Sequence, residues 1–230
     1  MDSFDEDLYI FKKHEVKKLY HPLDFYKNIS MNKDKSEHIK NAIELIESIS
    51  NLIGVDKNYI GIEGSTLLFC FNRNSDIDVL IYGYNNAIKV ANKFRLLNNN
   101  KNIRFYNKKD FNNIIKDRKM LGYGRSKTAI LTQELRRFYG FIRNKRFSII
   151  NVLSNEDKPI IDLKRKIKCL GLFKNELFIT EDKYSIVSPG VILGKDKEEN
   201  KYRIELINPY GINQAKKTKS FSSGEKFMKI

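Results

Sequence analysis

The chain has no tryptophan, two cysteines, four prolines and three histidines in 230 residues. Two cysteines permit one disulfide at most. Cys70 and Cys169 each lie in an apolar run (LLFCF, KIKCLGLF), which predicts buried free thiols rather than a disulfide scaffold. His14, His21 and His38 all lie upstream of both cysteines, so no zinc-site spacing is present, and the histidines are assigned no chemistry. No apolar run approaches the roughly 20 residues needed to span a bilayer. The opening MDSFDEDLYI is acidic where a secretory leader is basic, so a cytoplasmic protein without membrane contact is expected. With 12 glycines, four prolines and 41% hydrophobic residues, the composition is neither collagen-like nor disordered. A chain of 230 residues holds one ordinary domain plus one or two small additions.

What the chain has in excess is positive charge. Lys and Arg number 43 against 28 Asp and Glu, a net charge of +15. Basic side chains laid along phosphates release counterions, so this surplus points to a polyanionic partner, RNA or DNA. A compositional origin stays open beside it. Lys, Asn and Ile crowd stretches such as LLNNNKNIRFYNKKDFNNIIK, where lysine fills any solvated position.

Residues 8–11 and 16–20 read as the two strands of a small N-terminal hairpin, followed by a His21-Pro22 turn. Asn32, Asp34 and Ser36 offer N-caps to a helix in which Ile39, Ala42, Ile43, Ile46, Ile49 and Ile53 recur at three-to-four spacing until Gly54. A short strand (59–62), a Gly-Ser-Thr turn (64–66), a brief helix (67–71) and a buried strand (76–82) come next. A helix over 87–97, two more over 109–121 and 126–139, and an apolar strand over 147–153 (FSIINVL) complete the middle of the chain. Beyond about residue 172 the pattern changes to short strands at 177–179, 184–187, 191–193 and 202–207 with turn signals between them. The expected organisation is an extension over 1–30, an α/β or α+β domain with a mixed sheet and flanking helices over 31–170, and a small antiparallel β domain over 171–230.

The chemistry concentrates in residues 60–83, IGIEGSTLLFCFNRNSDIDVLIYG. Side chains alternate along a strand, so Asp76 and Asp78 share a face about 6–7 Å apart. Two carboxylates so placed repel unless a cation lies between them, and oxygen-only ligation suits Mg²⁺ or Mn²⁺. Upstream, Gly64 allows close approach of the backbone, and the hydroxyls of Ser65 and Thr66 are donors for phosphate oxygens at the start of a helix. A phosphate cradle and a metal site on adjacent elements make a nucleoside triphosphate the natural ligand. Taken singly, a Gly-Ser is a turn and an Asp-x-Asp a solvated strand end or cap; the chemistry lies in their combination.

Gly64-Ser65, ten intervening residues and then Asp76-Ile77-Asp78-Val79 resemble the motif of the DNA polymerase β-like nucleotidyltransferase superfamily, and the layout is similar to its stand-alone archaeal members. The resemblance covers some twenty residues plus the order of elements around them. It implies attack of an acceptor hydroxyl on the α-phosphate of an NTP with release of pyrophosphate, Asp76 and Asp78 serving as metal ligands and catalytic residues, and Gly64, Ser65 and Thr66 holding the triphosphate. Two departures stand out. Glu63 replaces the usual apolar residue before the Gly-Ser. Superfamily members also draw a third carboxylate from a later strand, by order FSIINVL, where the polar candidate is Asn151, an amide that cannot act as a base. Asp157 and Asp162 are downstream substitutes, and Asp110 reads as a helix N-cap.

Arg73, in the loop before the aspartates, is a candidate for phosphate contact or a solvated loop residue. Arg143, Lys145 and Arg146, with Lys164, Arg165, Lys166 and Lys168, either line a groove for an acceptor nucleic acid or form a solvated face. Tyr123 lies in a Gly-rich LGYGRS that is too short for a dinucleotide fingerprint. Tyr139 and Phe141 are spaced for base stacking and for core packing alike. Two functions follow: a metal-dependent nucleotidyltransferase with a nucleic acid as the favoured acceptor, or a catalytically silent nucleic-acid-binding or regulatory module on the same fold. A protein partner is a further possibility.

Overall fold

Ser36 takes a hydrogen bond from the Ile39 N–H at 3.3 Å, and that cap starts the principal helix. A computed structural model describes residues 12–31, 36–120, 138–157 and 175–206. After α1 (Phe25–Met31), α2 (Glu37–Ser48) presents Ile39, Ala42, Leu45 and Ile46 on one stripe, each no more than 1% exposed. The helix widens to a π turn over Ile49–Ile53 and stops at Gly54, whose φ of +84° is left-handed and whose N–H bonds the Ser50 carbonyl. Asn32 and Asp34, the other caps foreseen, lie outside the described residues.

The remaining elements of this unit are β1 (Ile60–Glu63), α3 (Gly64–Leu67), β2 (Ile77–Tyr82), α4 (Tyr84–Lys93), β3 (Ile103–Arg104), α5 (Lys108–Met120), β4 (Phe138–Ile142) and β5 (Lys145–Val152). The strands form one mixed sheet in the order β1-β2-β5-β4-β3. β2 and β5 are parallel and every other pair is antiparallel. Strand alternation divides the sheet into two unlike faces. Ile60, Ile62, Ile77, Val79, Ile81, Ile103, Ile142, Phe147 and Ile149 form one face and join α2, the π turn, Val90 and Leu97 in a single core. Each fully buried aliphatic side chain there contributes about 1.5–3 kcal/mol. Gly140 belongs to this face for a steric reason: a Cβ would stand 2.7 Å from the Phe147 ring and 2.9 Å from the Arg104 carbonyl. The other face carries Glu63, Asp78, Ser148, Tyr139, Phe141, Arg146 and Arg104.

Several expectations are corrected. Residues 16–20 sit in no strand; a 3₁₀ turn over Lys13–Glu15 precedes them, and Leu19 is 81% exposed. Residues 8–11 lie outside the description. The brief helix begins earlier than foreseen, at Gly64, and ends in a turn at residues 68–69 with Phe69 at φ +54°. Cys70 is exposed, because in LLFCF it is Leu67 that is buried and Phe69 and Phe71 that pack against the core. Cys169 lies outside the described residues. Phe138 and Tyr139, read as the end of a helix, open β4; paired to β5, their aromatic character serves a strand better than a helix. The rest of that helix, with Tyr123, lies outside the description.

The chain divides into two compact units, His21–Glu156 and a second that joins Met1–Tyr20 to Asp157–Ile230. The second contains a three-stranded antiparallel sheet of β6 (Phe178–Tyr184), β7 (Gly190–Lys195) and β8 (Lys201–Leu206) around Leu177, Ile192, Tyr202 and Ile204. In place of the strands foreseen at 177–179 and 184–187 there is one irregular strand, Phe178–Tyr184, and residues 185–187 form a turn and a bend instead. The strand's polar middle, Thr180 to Lys183, reads as a loop, but the register shifts at Glu181 let it stay paired. At the β7–β8 turn, the carboxylate of Asp196 accepts from the N–H groups of Glu198 and Asn200 and from the Tyr202 hydroxyl at 2.8 Å. The architecture is thus mixed α and β, with a mixed five-stranded sheet and a separate three-stranded one. Among the described residues no helix is long and apolar enough to cross a membrane.

Candidate functional site

β1 and β2 run antiparallel with Glu63 directly opposite Asp78, and the chain joining them folds back over the same place. At its start Gly64 has a φ of +66°, a conformation that glycine adopts without strain. A Cβ at this position would stand 3.5 Å from Asp78 Oδ2, so the Gly-Ser turn and the carboxylate are neighbours in space although ten residues separate Ser65 from Asp76. Ser65 is half-buried and Asp76 is exposed. The structure thus brings the Gly-Ser turn and Asp78 together, while Asp76 stands just before β2.

On the other side of Asp78, in the parallel register, stands Ser148 of β5, whose hydroxyl donates to Asp78 Oδ1 at 2.6 Å. Asn151 pairs with Ile81 and is 3% exposed on the core face, so it does not occupy the position beside the aspartates. FSIINVL reads as apolar on both faces, but the strand alternates. Phe147, Ile149 and Asn151 point one way, and Arg146 and Ser148 the other. The face of β5 turned toward Asp78 thus carries a hydroxyl and a guanidinium. The carboxylate nearest in register to Asp78 comes from the preceding strand, as Glu63.

The electrostatics match this arrangement. Burial pushes the Asp78 carboxyl above its ordinary range; the Ser148 hydroxyl opposes the shift, Asp76 adds to it and the positive charge of Arg146 opposes it again. Glu63 is likewise raised, first by burial and then by Asp78. Two half-buried carboxylates face each other across a strand pair, where like charges are unfavourable. Among the described residues, no group of three or more His, Cys, Asp or Glu is placed to hold a metal ion by itself.

Thr66 serves the site differently from the expectation. It is fully buried, and its hydroxyl donates to the Asp76 carbonyl at 3.3 Å. With its one proton so placed, Thr66 Oγ1 accepts from His38 Nε2 at 2.8 Å, which makes Nε2 the protonated ring nitrogen. The His38 ring stacks on Phe71 at 4.3 Å and 12°. Helix α2 is thereby tied to the backbone of the first aspartate through residues 28 positions apart, a link with no sequence signal. Thr66→Val removes both hydrogen bonds and leaves a buried His38 donor and the Asp76 carbonyl without this partner. A loss of about 1–3 kcal/mol is expected, measured as a lower urea midpoint.

The basic candidates separate. Lys145 Nζ donates to the Arg73 carbonyl at 2.6 Å and so clamps the loop that delivers Asp76, while Arg73 itself is exposed. Arg143 turns away from any groove: it ion-pairs with Glu44 at 2.7 Å, donates to Asn41, and fastens the β4–β5 turn to α2. The Asn100 and Asn102 amides converge on the same Glu44 carboxylate. Arg146 is exposed and shares the face of Asp78. Lys164, Arg165, Lys166, Lys168 and Asp162 lie outside the described residues. Asp110 is not the cap foreseen but lies three residues after the actual one. Asn107 caps α5, and Asp110 reaches back to the Asn107 N–H at 2.9 Å and pairs with Arg104 at 2.6 Å, completing a capping box. Compared with known proteins, the chain matches no family model, no curated protein and no solved structure, so any functional reading rests on the geometry of β1, β2 and β5.

Proposed function

We propose that the unit His21–Glu156 has the polymerase β-like nucleotidyltransferase fold and transfers a nucleotidyl group from an NTP to an acceptor hydroxyl. The observation that carries this reading is the left-handed Gly64 turn lying 3.5 Å, by its missing Cβ, from the carboxylate of Asp78. A phosphate approaching the Gly64-Ser65 backbone arrives at the aspartates. The donor set is oxygen-only, which fits Mg²⁺ or Mn²⁺. Because Mg²⁺ is commonly held by one or two carboxylates plus substrate phosphates and water, Asp76 and Asp78 suffice as the protein's share. A divalent cation bound there neutralises charge on the phosphoryl oxygens.

The chain's own residues then have separate tasks. Gly64 and Ser65 receive the triphosphate, and Ser148 fixes one oxygen of Asp78 so that the other faces the turn. Glu63 serves as the third carboxylate. Burial, and then the charge of Asp78, raise its pKa, which makes it a stronger proton acceptor than an ordinary glutamate. The acceptor hydroxyl passes its proton to Glu63, its oxygen bonds the α-phosphorus, and the bond from that phosphorus to the departing pyrophosphate breaks.

A second reading is favoured by the face of β5, where Arg146 and Ser148 stand in place of a carboxylate. In it the site binds nucleotide or nucleic acid without turnover. The test is a panel of NTPs with Mg²⁺ or Mn²⁺ and a single-stranded oligonucleotide as acceptor, followed by pyrophosphate release. Metal-dependent release supports the transferase. Metal-dependent NTP binding without release at any acceptor supports the silent module.

A further inference from the structure

The polar neighbours of Asp78 have tasks with one exception. Glu63 faces it from β1, Ser148 gives its hydroxyl proton to Oδ1, and the Gly64 turn stands against Oδ2. The exception is Arg146. Phe147 pairs with Ile77, so Arg146, one residue earlier in the parallel register, stands level with Asp76 and on the same side of β5 as Ser148. Its positive charge acts on Asp78. The other cations around it are taken: Arg143 pairs with Glu44, Arg104 with Asp110, and Lys145 donates to the Arg73 carbonyl. Arg146 is exposed, and among the described residues its guanidinium has no hydrogen bond or ion pair.

The setting selects the ligand. Glu63 and Asp78 share the face of Arg146, and Asp76 stands just before β2, so a bare anion is repelled here. A polyphosphate that arrives with a divalent cation is not. Even so, a triphosphate set among Glu63, Asp76 and Asp78 with one such cation keeps a surplus of negative charge. A guanidinium suits that surplus, because it is always charged and its fork meets two phosphate oxygens at once. In the transferase its side of the site is also the required one. Displacement is in line, so the attacking and leaving oxygens lie on opposite sides of the α-phosphorus. Glu63, which takes the acceptor's proton, is on the β1 side of Asp78, and that leaves the β5 side for the departing pyrophosphate.

We propose that Arg146 is a further catalytic residue of this site, binding the β- and γ-phosphates of the NTP. As the bond from the α-phosphorus to the bridging oxygen breaks, the electron pair stays on that oxygen, and the guanidinium stabilises the charge gathering on pyrophosphate. The proposal rests on the transferase reading and takes Arg146 away from the acceptor nucleic acid, for which its sequence position made it a candidate.

The test compares wild type, Arg146→Gln and Arg146→Lys in the full chain with Mg²⁺. An NMP, an α,β-methylene NTP analogue and inorganic pyrophosphate are titrated by calorimetry, and pyrophosphate release from NTPs is followed beside them. Loss of one charge-assisted contact is expected to weaken the NTP analogue and pyrophosphate roughly 10- to 100-fold in Arg146→Gln and the NMP little, so the ratio of NTP to NMP affinity falls. Release should fall further than affinity, because the leaving group carries more charge in the transition state. Arg146→Lys keeps the charge without the fork and is expected to recover part of both. With no protein partner to lose, both variants should keep the wild-type urea midpoint, which separates the effect from damage to the fold. Metal-dependent release by the wild type, with NTP and pyrophosphate affinities unchanged in Arg146→Gln, overturns the proposal and leaves the transferase standing. Weakened binding of a labelled single-stranded oligonucleotide in Arg146→Gln, with NTP affinity unchanged, gives Arg146 to the acceptor and overturns it likewise. A wild type that binds no NTP with Mg²⁺ or Mn²⁺ removes the transferase reading itself and the proposal with it.

Discussion

Asp78→Asn is expected to lower metal-dependent pyrophosphate release by about 10³-fold while making the unit more resistant to urea. In the proposed transferase the fall follows from losing one of the two carboxylates that would hold the cation, an interaction worth several kcal/mol in a phosphoryl-transfer transition state. The gain follows from the partner across the strand. Glu63 faces Asp78 directly, and a neutral amide removes a like-charge pair, worth about 0.2–1 kcal/mol, while still accepting the Ser148 hydroxyl proton. A substitution that abolishes turnover and stabilises the fold is the mark of a site kept under strain for function.

The pH dependence carries the same signature with a definite sign. Asp78 and Glu63 both have folded pKa values above those of the unfolded chain, burial being the larger cause in each. The folded unit holds protons that the unfolded chain releases above about pH 4, so their stabilising contribution is complete below that and is lost as pH rises through the folded values. Urea midpoints of the metal-free protein are expected to fall as pH rises across that window. Asp78→Asn should flatten the fall, and added Mg²⁺ should reduce it by neutralising the carboxylates. A midpoint that rises over the same range in the absence of metal contradicts the account.

Glu63→Gln is the second large effect. If Glu63 takes the acceptor's proton, its amide should retain NTP binding in the presence of Mg²⁺ and lose roughly 10²–10⁴-fold in turnover. Unchanged turnover would mean that the proton leaves by another route and that Glu63 is only an electrostatic neighbour of Asp78. Asp78→Asn is expected to weaken metal-dependent binding as well as turnover, so the split between binding and rate tells the two carboxylates apart.

The turn and Asp78 are legible as neighbours in the chain, and for a physical reason. The Gly-Ser turn and the aspartates lie close in sequence, and the strand that begins at Ile77 sets Asp78 beside the turn. The helix before them is equally readable, because Ile39, Ala42, Ile46, Ile49 and Ile53 recur on one face and Gly54 ends it. The β5 side is harder. In FSIINVL both faces are largely apolar, so alternation gives no contrast, and only pairing with β2 shows that Ser148 and not Asn151 lies beside Asp78. The His38, Thr66 and Asp76 link joins residues far apart in the chain, and Arg143 is a surface cation until the β4–β5 turn brings it to Glu44. Such contacts are decided by tertiary packing, which a single sequence does not display. Glu63 is the exception: visible as a departure from the resembled motif, it acquires meaning only when the antiparallel register sets it opposite Asp78.

The most direct test of the central claim is calorimetric titration of a non-hydrolysable NTP analogue into wild-type protein and into the Asp76→Asn/Asp78→Asn variant, each with Mg²⁺ and with chelator. The account predicts binding only to the wild type and only with the metal. Equal binding to both proteins, or binding that ignores the chelator, would contradict it.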